Sequence, residues 1–265
     1  MEKGVDLKAY RSSFLMRHLE SRAKWIGMKQ IEQYPFYLKN HPEELQNFLD
    51  SISIKVTSFF RDSAPFRDFE TLVIPELLKK KDGKLKIWSA GCATGEEAYS
   101  IAILLRKALE KEKKRWDIEI LGTDMNEKFL EKAAGGKYSL KEVEGVNSAL
   151  LEKFFKSVDG RSFEIKVFLK NWMKFQKHDL LKSDGFPGQD VIFCRNVFIY
   201  LNREAQKNLV FKFVKNLSDF GFLVLGRSEL MLAEAASLFT PVSLSGRIYQ
   251  KRRAIKGGKK WENEC

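Results

Sequence analysis

The chain has 265 residues, of which 44% are hydrophobic and 31% charged, a composition that supports a globular core and excludes bulk disorder. Lys and Arg number 47 against 35 Asp and Glu, a formal net charge of +12; this favours an acidic partner such as nucleic acid, an anionic membrane or an acidic protein segment, or else reflects a lysine-rich solvated surface. No apolar run approaches the roughly 18 residues of a membrane span, and residues 1–13 lack the apolar stretch of a signal peptide, so we expect a cytoplasmic protein without membrane insertion. Three cysteines without CxxC spacing and three histidines argue against a disulfide scaffold and a zinc site.

The first 70 residues show helical patterns without strand-like alternation. Leu7, Tyr10 and Phe14 recur at helical spacing, and Pro42 with two following glutamates suits the start of an amphipathic helix. We therefore predict an all-helical domain over 1–70, followed by a second domain over 71–265.

The second domain alternates strands and helices. Residues 84–90 and 117–123 have the composition of buried strands, 96–112 form a helical pattern between them, and Asn126 can cap the next helix. This alternation is typical of a parallel α/β sheet.

An insertion at about 135–168 interrupts that rhythm. The turn-forming pairs Gly135-Gly136 and Asp159-Gly160 punctuate it, and 163–169 alternates like an exposed strand, which predicts a small antiparallel β element. The α/β pattern then resumes, with Asn202 capping a helix and with further strands predicted at 172–176, 190–194, 222–225 and 247–251.

The turn after the first strand carries two glycines, Gly91 and Gly95, and is followed by Glu96 and Glu97. The dinucleotide pattern G-x-G-x-x-G is absent, and two carboxylates at a helix start would repel a diphosphate. A positively charged ligand without phosphate, such as S-adenosylmethionine, fits better. The alternative is a simple turn followed by a pair of glutamates that complement the helix dipole.

Polar side chains follow other strands. Asp124 closes the second strand, where an acid can accept hydrogen bonds from ribose hydroxyls or cap the next helix. Arg195 and Asn196 follow a later strand, at the edge where open α/β sheets bind ligands. Arg61 either pairs with Asp62 on the surface or holds an anionic substrate through its planar fork.

Taken together and in order, six strings resemble the CheR family of chemotaxis methyltransferases. They are TSFFRD (57–62), WSAGCATGEEAYSIA (88–102), GTD (122–124), HDLL (178–181), FCRNVFIY (193–200) and GFLVLGRSE (221–229). The resemblance covers nearly the whole chain. It implies a Rossmann-like class I methyltransferase sheet with an N-terminal all-helical domain and a small antiparallel β insertion.

The resemblance also implies an activity: methyl transfer from S-adenosylmethionine to glutamate side chains of chemoreceptor cytoplasmic helices. The products are glutamate methyl esters, used in chemotaxis adaptation, and S-adenosylhomocysteine. A glutamate side chain with a pKa of about 4.3 is already an anion at neutral pH, so neither a general base nor a metal is needed. Arg61 and Tyr200 match the positions closest to methyl transfer. The implied cofactor residues, with Glu97 favoured over Glu96, are Thr57, Arg61, Gly91, Glu96, Glu97, Asp124, Asp179, Leu180, Arg195 and Asn196.

The resemblance also bears on partners. Many family members carry Asn where this chain has Lys55, which puts a contact from that position in doubt. The turn 157–162 is short, which predicts that receptors are bound without tethering through a C-terminal peptide. We expect a monomer that is recruited from the cytoplasm to membrane-bound receptor arrays. We expect a basic face of the first helical stretch to dock the receptor, with Arg17, Arg22, Lys24 and Lys29 as candidates. The alternative is that these are solvated surface charges.

Three rival functions remain. A methyltransferase acting on nucleic acid or a small molecule is compatible with the basic charge, but no Asn-Pro-Pro-aromatic string follows the fourth strand, and we expect no nucleic-acid partner. A non-catalytic scaffold is disfavoured because Asp124 and Arg61 are both present. A nicotinamide oxidoreductase is disfavoured by the glutamates at the glycine turn.

Overall fold

The computed structural model describes residues 7–52, 56–80 and 83–253. Lys55 and the polar tail from residue 254 lie outside these ranges. Short helical turns occupy Leu7–Ala9, Ile31–Gln33, Phe69–Val73 and Phe198–Tyr200. The helices are α1 (Ser12–Trp25), α2 (Tyr34–Asn40), α3 (Pro42–Ile52), α4 (Ser63–Asp68), α5 (Ile74–Lys80), α6 (Glu96–Leu109), α7 (Glu127–Gly135), α8 (Ser148–Phe154), α9 (Val167–Lys170), α10 (Arg203–Asn216) and α11 (Ala233–Ala236). The strands are β1 (Lys84–Ala90), β2 (Asp117–Asp124), β3 (Lys137–Ser139), β4 (Phe155–Ser157), β5 (Ser162–Ile165), β6 (Met173–Lys177), β7 (Gln189–Cys194), β8 (Leu217–Leu225), β9 (Phe239–Ser243) and β10 (Ile248–Lys251).

Seven strands form one mixed sheet in the order β6-β2-β1-β7-β8-β10-β9. The strands from β6 to β8 are parallel, and β10 runs antiparallel to both of its neighbours. The chain order reverses beside β1, which pairs with β2 on one side and β7 on the other. In open α/β sheets this reversal opens a crevice at the carboxyl ends of the strands, where ligands bind. The predicted α/β architecture is confirmed.

Both faces of the sheet are covered, because the parallel strands are apolar on each side. On one face, α6 buries Ile101 and Leu105 against Ile87 of β1. On the other face, α10 buries Leu209 and Phe213. Asn126 and Asn202 cap α7 and α10 as predicted, since each side-chain oxygen accepts a backbone amide hydrogen bond.

The first three α-helices pack around their own small core, which includes Phe14, Tyr34 and Phe48. The next helical segment, 63–80, behaves differently, because Phe69 and other apolar residues of it join the core on the α6 face of the sheet. The predicted domain boundary at residue 70 falls inside this segment and remains a prediction.

The basic face that we predicted on the first helical stretch is wrong in two details. Helix α1 ends at Trp25, so Lys29 does not continue the helix that carries Arg17. Arg22 is not a free surface charge, because it donates two hydrogen bonds to the buried Glu44 and its side chain is 17% exposed. Of the candidates that lie on α1, Arg17 and Lys24 are exposed.

The insertion forms a three-stranded antiparallel sheet in the order β3-β5-β4. The predicted strand over 163–169 is only partly right: β5 ends at Ile165 and α9 follows. Leu169 is completely buried, so packing against the core decided this segment rather than its alternation. No helix within the described ranges is both long and apolar enough to span a membrane.

Candidate active site

A cavity of about 770 Å³ opens at the carboxyl ends of β1, β2 and β7, between the sheet and the helical region. All of the predicted cofactor residues except Glu96 line it, and so does Tyr200. Helix α3 supplies part of its wall through Leu49, Asp50 and Ile52. Residues far apart in the sequence therefore converge on one space.

The turn after β1 brings the backbone close to this cavity. Gly91 has φ +80°, and a Cβ atom there would lie 2.9 Å from Val197 Cγ2. Gly95 has φ +94°, and a Cβ atom would lie 2.8 Å from Ala133 Cβ in α7. Both positions require glycine, because the left-handed backbone and the close neighbours exclude a side chain.

The two glutamates after this turn point in different directions. Glu97 lines the cavity, and its carboxylate accepts hydrogen bonds from Ser89 Oγ at 2.7 Å and from Arg195 Nη1 at 3.2 Å. Glu96 does not line the cavity; its carboxylate accepts from the Thr94 hydroxyl at 2.7 Å. Neighbouring residues on a helix lie about 100° apart, so only one of them can face the cavity. The geometry supports the choice of Glu97.

Arg195 is buried, with 2% of its side chain exposed. Its Nη2 donates to the Arg61 carbonyl oxygen at 2.7 Å and to Asp62 Oδ2 at 3.2 Å, while Nη1 reaches Glu97. The guanidinium also lies 5.0 Å from the ring centre of Phe66. Arg195 therefore joins the loop that carries Arg61 to the carboxylate of Glu97. The surface pairing of Arg61 with Asp62 does not occur, because Asp62 pairs with Arg195.

Asp124 stands at the end of β2 and lines the cavity. Its Oδ2 accepts from the Ala93 amide at 3.0 Å, and its Oδ1 accepts from the Asn126 amide at 2.9 Å. Burial raises the pKa of Asp124, although these amides oppose the shift. Burial likewise raises the pKa of Glu97, against the opposing charge of Arg195. Two desolvated carboxyl groups at a cavity wall favour a cationic ligand.

The loop that carries Asp179 and Leu180 is held from two sides. Asp179 Oδ1 accepts from the Leu181 amide at 2.8 Å. From α10, Lys212 Nζ donates to the carbonyl oxygens of Leu180 and Ser183, each at 2.7 Å. This leaves Asp179 and Leu180 in the cavity wall.

Arg61 and Thr57 approach from the loop after α3. Arg61 Nη1 donates to the Val56 carbonyl oxygen at 2.5 Å. Burial raises the pKa of both Glu97 and Tyr200, and the nearby charge of Arg61 opposes each shift. The guanidinium therefore lies within electrostatic reach of both groups.

Tyr200 packs against the helical region. Its ring centre lies 4.8 Å from that of Phe14 in α1, and its carbonyl oxygen accepts from the Arg11 amide at 2.9 Å. The Asn202 amide in turn donates to the Ala9 carbonyl oxygen at 2.9 Å. The start of the helical region is thus hydrogen-bonded to the segment that carries Tyr200.

Sequence reasoning missed several residues of the site. Tyr10 and His178 line the cavity, and Glu229 supports its wall from behind. His178 and Glu229 lie within the strings that resemble the CheR family. No pattern of neighbouring residues indicated a role for either of them. The contribution of Lys212 depends on loop carbonyl groups that lie about 30 positions away.

The cavity fits S-adenosylmethionine on physical grounds. Its volume of about 770 Å³ lies within the roughly 300–1,000 Å³ range of small-molecule sites. Its wall combines a close backbone turn with the carboxyl groups of Glu97 and Asp124, which suits a ligand that carries a sulfonium and an ammonium but no phosphate. Asp124, at the end of the strand next to the glycine turn, lies where a ribose is bound in related sheets.

Comparison with known proteins decides the family. The model of the CheR methyltransferase SAM-binding domain matches residues 55–247, and that of the CheR methyltransferase all-alpha domain matches residues 2–53. The chain belongs to the CheR methyltransferase family. It is 33% identical to a chemotaxis protein methyltransferase of Listeria innocua, over 88% of this chain and 87% of that protein. It is 31% identical to one of Borreliella burgdorferi, over 85% of this chain and 83% of that protein.

The predicted class I methyltransferase fold, the S-adenosylmethionine cofactor and the methyltransferase activity are thereby confirmed. Among solved structures, an amino pentose methyltransferase from Micromonospora echinaspora in complex with S-adenosylmethionine is similar to this CheR protein. It has a TM-score of 0.36 and 13% identity, and the match covers 64% of this chain and 52% of that one.

Proposed function

We propose that this CheR methyltransferase esterifies glutamate side chains on the cytoplasmic helices of chemoreceptors, in chemotaxis adaptation. One observation carries the choice of substrate: the Arg61 guanidinium lies at the cavity, within electrostatic reach of Glu97 and Tyr200. Such a cation is complementary to an incoming carboxylate, and its planar fork can orient both oxygens.

The bound cofactor supplies an electrophilic methyl group. The chain holds that cofactor with Asp124, Glu97, Asp179 and Leu180, and excludes a side chain at Gly91. Arg61 orients the substrate carboxylate, and Tyr200 shapes the space between substrate and cofactor. The substrate is an anion at neutral pH, so catalysis here consists of positioning rather than proton transfer.

Arg195 acts through other groups. Its Nη2 fixes the Arg61 carbonyl oxygen while its Nη1 holds Glu97, so the substrate side and the cofactor side of the cavity are set by one buried guanidinium. Asn196 follows it in the cavity wall.

The mode of receptor binding is part of the proposal. The β4–β5 hairpin turn is compact, because Asp159 Oδ1 accepts hydrogen bonds from the Arg161 and Ser162 amides at 2.9 and 2.7 Å. A turn closed in this way supports binding without a tethered C-terminal peptide. Arg17 and Lys24 on α1 are exposed and are candidates for docking glutamate-rich helices. The enzyme acts as a monomer in the cytoplasm, recruited to receptor arrays.

The test is methylation of purified receptor cytoplasmic fragments with methyl-labelled S-adenosylmethionine. The label should be released by mild base, as expected of an ester, and should be absent from a fragment whose candidate glutamates are replaced by glutamine. A base-stable label, or equal labelling of the glutamine fragment, would contradict the glutamate substrate. Label on nucleic acid instead would favour the rival methyltransferase.

A further inference from the structure

The string GFLVLGRSE ends on a glutamate that the proposed mechanism does not use. Glu229 lies four residues beyond the end of β8 and is only 3% exposed. It is absent from the cavity lining. A buried carboxylate close to an active site calls for a reason, because its desolvation is unfavourable unless it is hydrogen-bonded.

The partners of Glu229 are backbone amides. Its Oε2 accepts from the Gly226 amide at 2.6 Å and from the Asn196 amide at 3.0 Å, and its Oε1 accepts from the Ile199 amide at 3.3 Å. Space around it is closed: a Cβ atom at Gly226 would lie 2.6 Å from Oε2 and 2.8 Å from the Asn196 nitrogen.

Two of these bonds fall on one turn of the chain, at Asn196 and Ile199. Asn196 has φ +60°, the left-handed conformation, which is uncommon for residues other than glycine and which asparagine adopts more readily than most. The turn runs from Arg195, which joins Arg61 to Glu97, to Tyr200 at the cavity. One carboxylate thus ties both ends of the turn to the loop after β8.

We propose that Glu229 is a positioning residue for methyl transfer, which fixes the turn 195–200 so that Asn196 and Tyr200 keep their places in the cavity wall. A carboxylate is required because it only accepts, and here it meets several N–H donors at once. A glutamine side chain of the same shape would direct an NH₂ group at one of these amides and lose that hydrogen bond. The proposal rests on the proposed function for its activity readout, while its other readouts need no substrate.

The first measurement is hydrogen exchange of the protein without cofactor, comparing wild type with Glu229→Gln. We expect the amide that faces the new NH₂ group, that of Asn196 or that of Ile199, to exchange about tenfold faster, as for one lost hydrogen bond of ordinary strength. Exchange in the helical region, represented by Phe48, should be unchanged, and so should the melting temperature within a few degrees. Glu234→Gln is the matched control, since Glu234 lies on the nearby α11 and pairs with Arg203 at the surface.

The second measurement is function of the same variants. Misplacement of about 1 Å can reduce a rate roughly 100-fold, so we expect kcat on the receptor fragment to fall by about 10- to 100-fold in Glu229→Gln and S-adenosylhomocysteine affinity to fall as well. Glu234→Gln should match wild type in both. If Glu229→Gln does not fold, Glu229→Asp keeps the charge, shortens the reach by one methylene and should show the same functional loss.

Three results would overturn the proposal: unchanged exchange at Asn196 and Ile199, faster exchange with unchanged kcat and affinity, or faster exchange across the whole chain with a large fall in melting temperature. If wild type itself does not methylate the receptor fragment, the proposed function fails. In that case exchange and S-adenosylhomocysteine affinity still decide the role of Glu229.

Discussion

Two arginines of this chain each hold a glutamate, one in the helical region and one at the active site. In the helical region, Arg22 donates to both oxygens of Glu44 at 2.9 and 2.5 Å, and the Tyr34 hydroxyl donates to the same carboxylate at 2.6 Å. The hydrogen bond from Arg22 lowers the pKa of Glu44. We call Arg22, Tyr34 and Glu44 the helical network.

At the active site, Arg195 divides its donors among Glu97, Asp62 and the Arg61 carbonyl oxygen. Burial raises the pKa of Glu97, and the charge of Arg195 only partly opposes it. We call Glu97, Arg195 and Asp62 the site network. The bidentate geometry of the helical network neutralises its carboxylate, which suits a structural role. The divided geometry of the site network leaves Glu97 incompletely compensated at the cavity wall, ready for a cationic ligand.

The largest expected effects on stability and cofactor binding come from replacing the arginine of each network. Arg195→Met should destabilise the fold by about 3–5 kcal/mol, because it leaves buried charge without a partner, and should abolish detectable cofactor binding. Arg22→Met should also lower the free energy of unfolding but leave the affinity for S-adenosylhomocysteine unchanged. Urea unfolding and calorimetry measure both quantities.

Arg195→Lys tests the same role of Arg195 in a variant that we expect to remain folded. Lysine keeps the charge but cannot reach three acceptors in different directions, so we expect weaker cofactor binding with a smaller loss of stability. Equal loss of affinity in the Arg22 and Arg195 variants would contradict the division of roles.

The next effect concerns Asp124, whose carboxylate is held by the Ala93 and Asn126 backbone amides rather than by an arginine. Asp124→Asn keeps the shape and removes the charge. We expect a loss of about 1.5–3 kcal/mol in binding, or roughly 10- to 100-fold in affinity for S-adenosylhomocysteine. Asp50→Asn, also at the cavity but paired with exposed Lys128 at 3.5 Å, is the control. Unchanged affinity in Asp124→Asn would remove this residue from the cofactor site.

Arg61→Lys tests the substrate side of the cavity. The charge remains but the fork is lost, so we expect kcat/KM for receptor methylation to fall at least about tenfold while cofactor affinity changes less. Arg67→Lys is a matched control, because Arg67 is exposed and pairs with Asp68 at 3.1 Å. If affinity and kcat/KM fall equally, Arg61 is chiefly a cofactor residue.

The smallest effect is a pH dependence of stability with opposite signs in the two networks. The pKa of Glu44 is lowered below its ordinary 4.5, so its contribution is present above that pH and is lost as the pH falls. The difference in unfolding free energy between wild type and Glu44→Gln, about 1–2 kcal/mol near neutrality, should therefore shrink below about pH 4.5.

The pKa of Glu97 is raised above 4.5, so its protonated form favours the folded state and that contribution is lost as the pH rises. Measured without cofactor, wild type should lose stability relative to Glu97→Gln as the pH increases above 4.5. Glu97→Gln also alters the contact with Arg195. That change shifts the unfolding free energy by a constant amount and does not affect its slope against pH. If the difference in unfolding free energy from wild type changed with pH in the same direction for Glu44→Gln and Glu97→Gln, the distinction between the two networks would be contradicted.

Local features were predictable from the sequence. The strand at 84–90, the glycine turn and the caps at Asn126 and Asn202 match the structure, because each depends on the chemistry of a few neighbouring residues. The candidate site residues were predicted from several weak strings taken together. The structure brings all of them except Glu96 to one cavity, since the carboxyl ends of parallel strands share one edge of a sheet.

Tertiary structure decided which of these residues face one another. Arg195 and Glu97 are 98 positions apart, and no local pattern shows that one guanidinium joins Glu97 to the Arg61 loop. The same holds for Arg22, which looked like a docking charge and instead neutralises Glu44. Glu96 and Glu97 are chemically identical in the sequence. Only the rotation of α6 on the sheet, fixed by burial of its apolar face, placed Glu97 in the cavity and turned Glu96 toward Thr94.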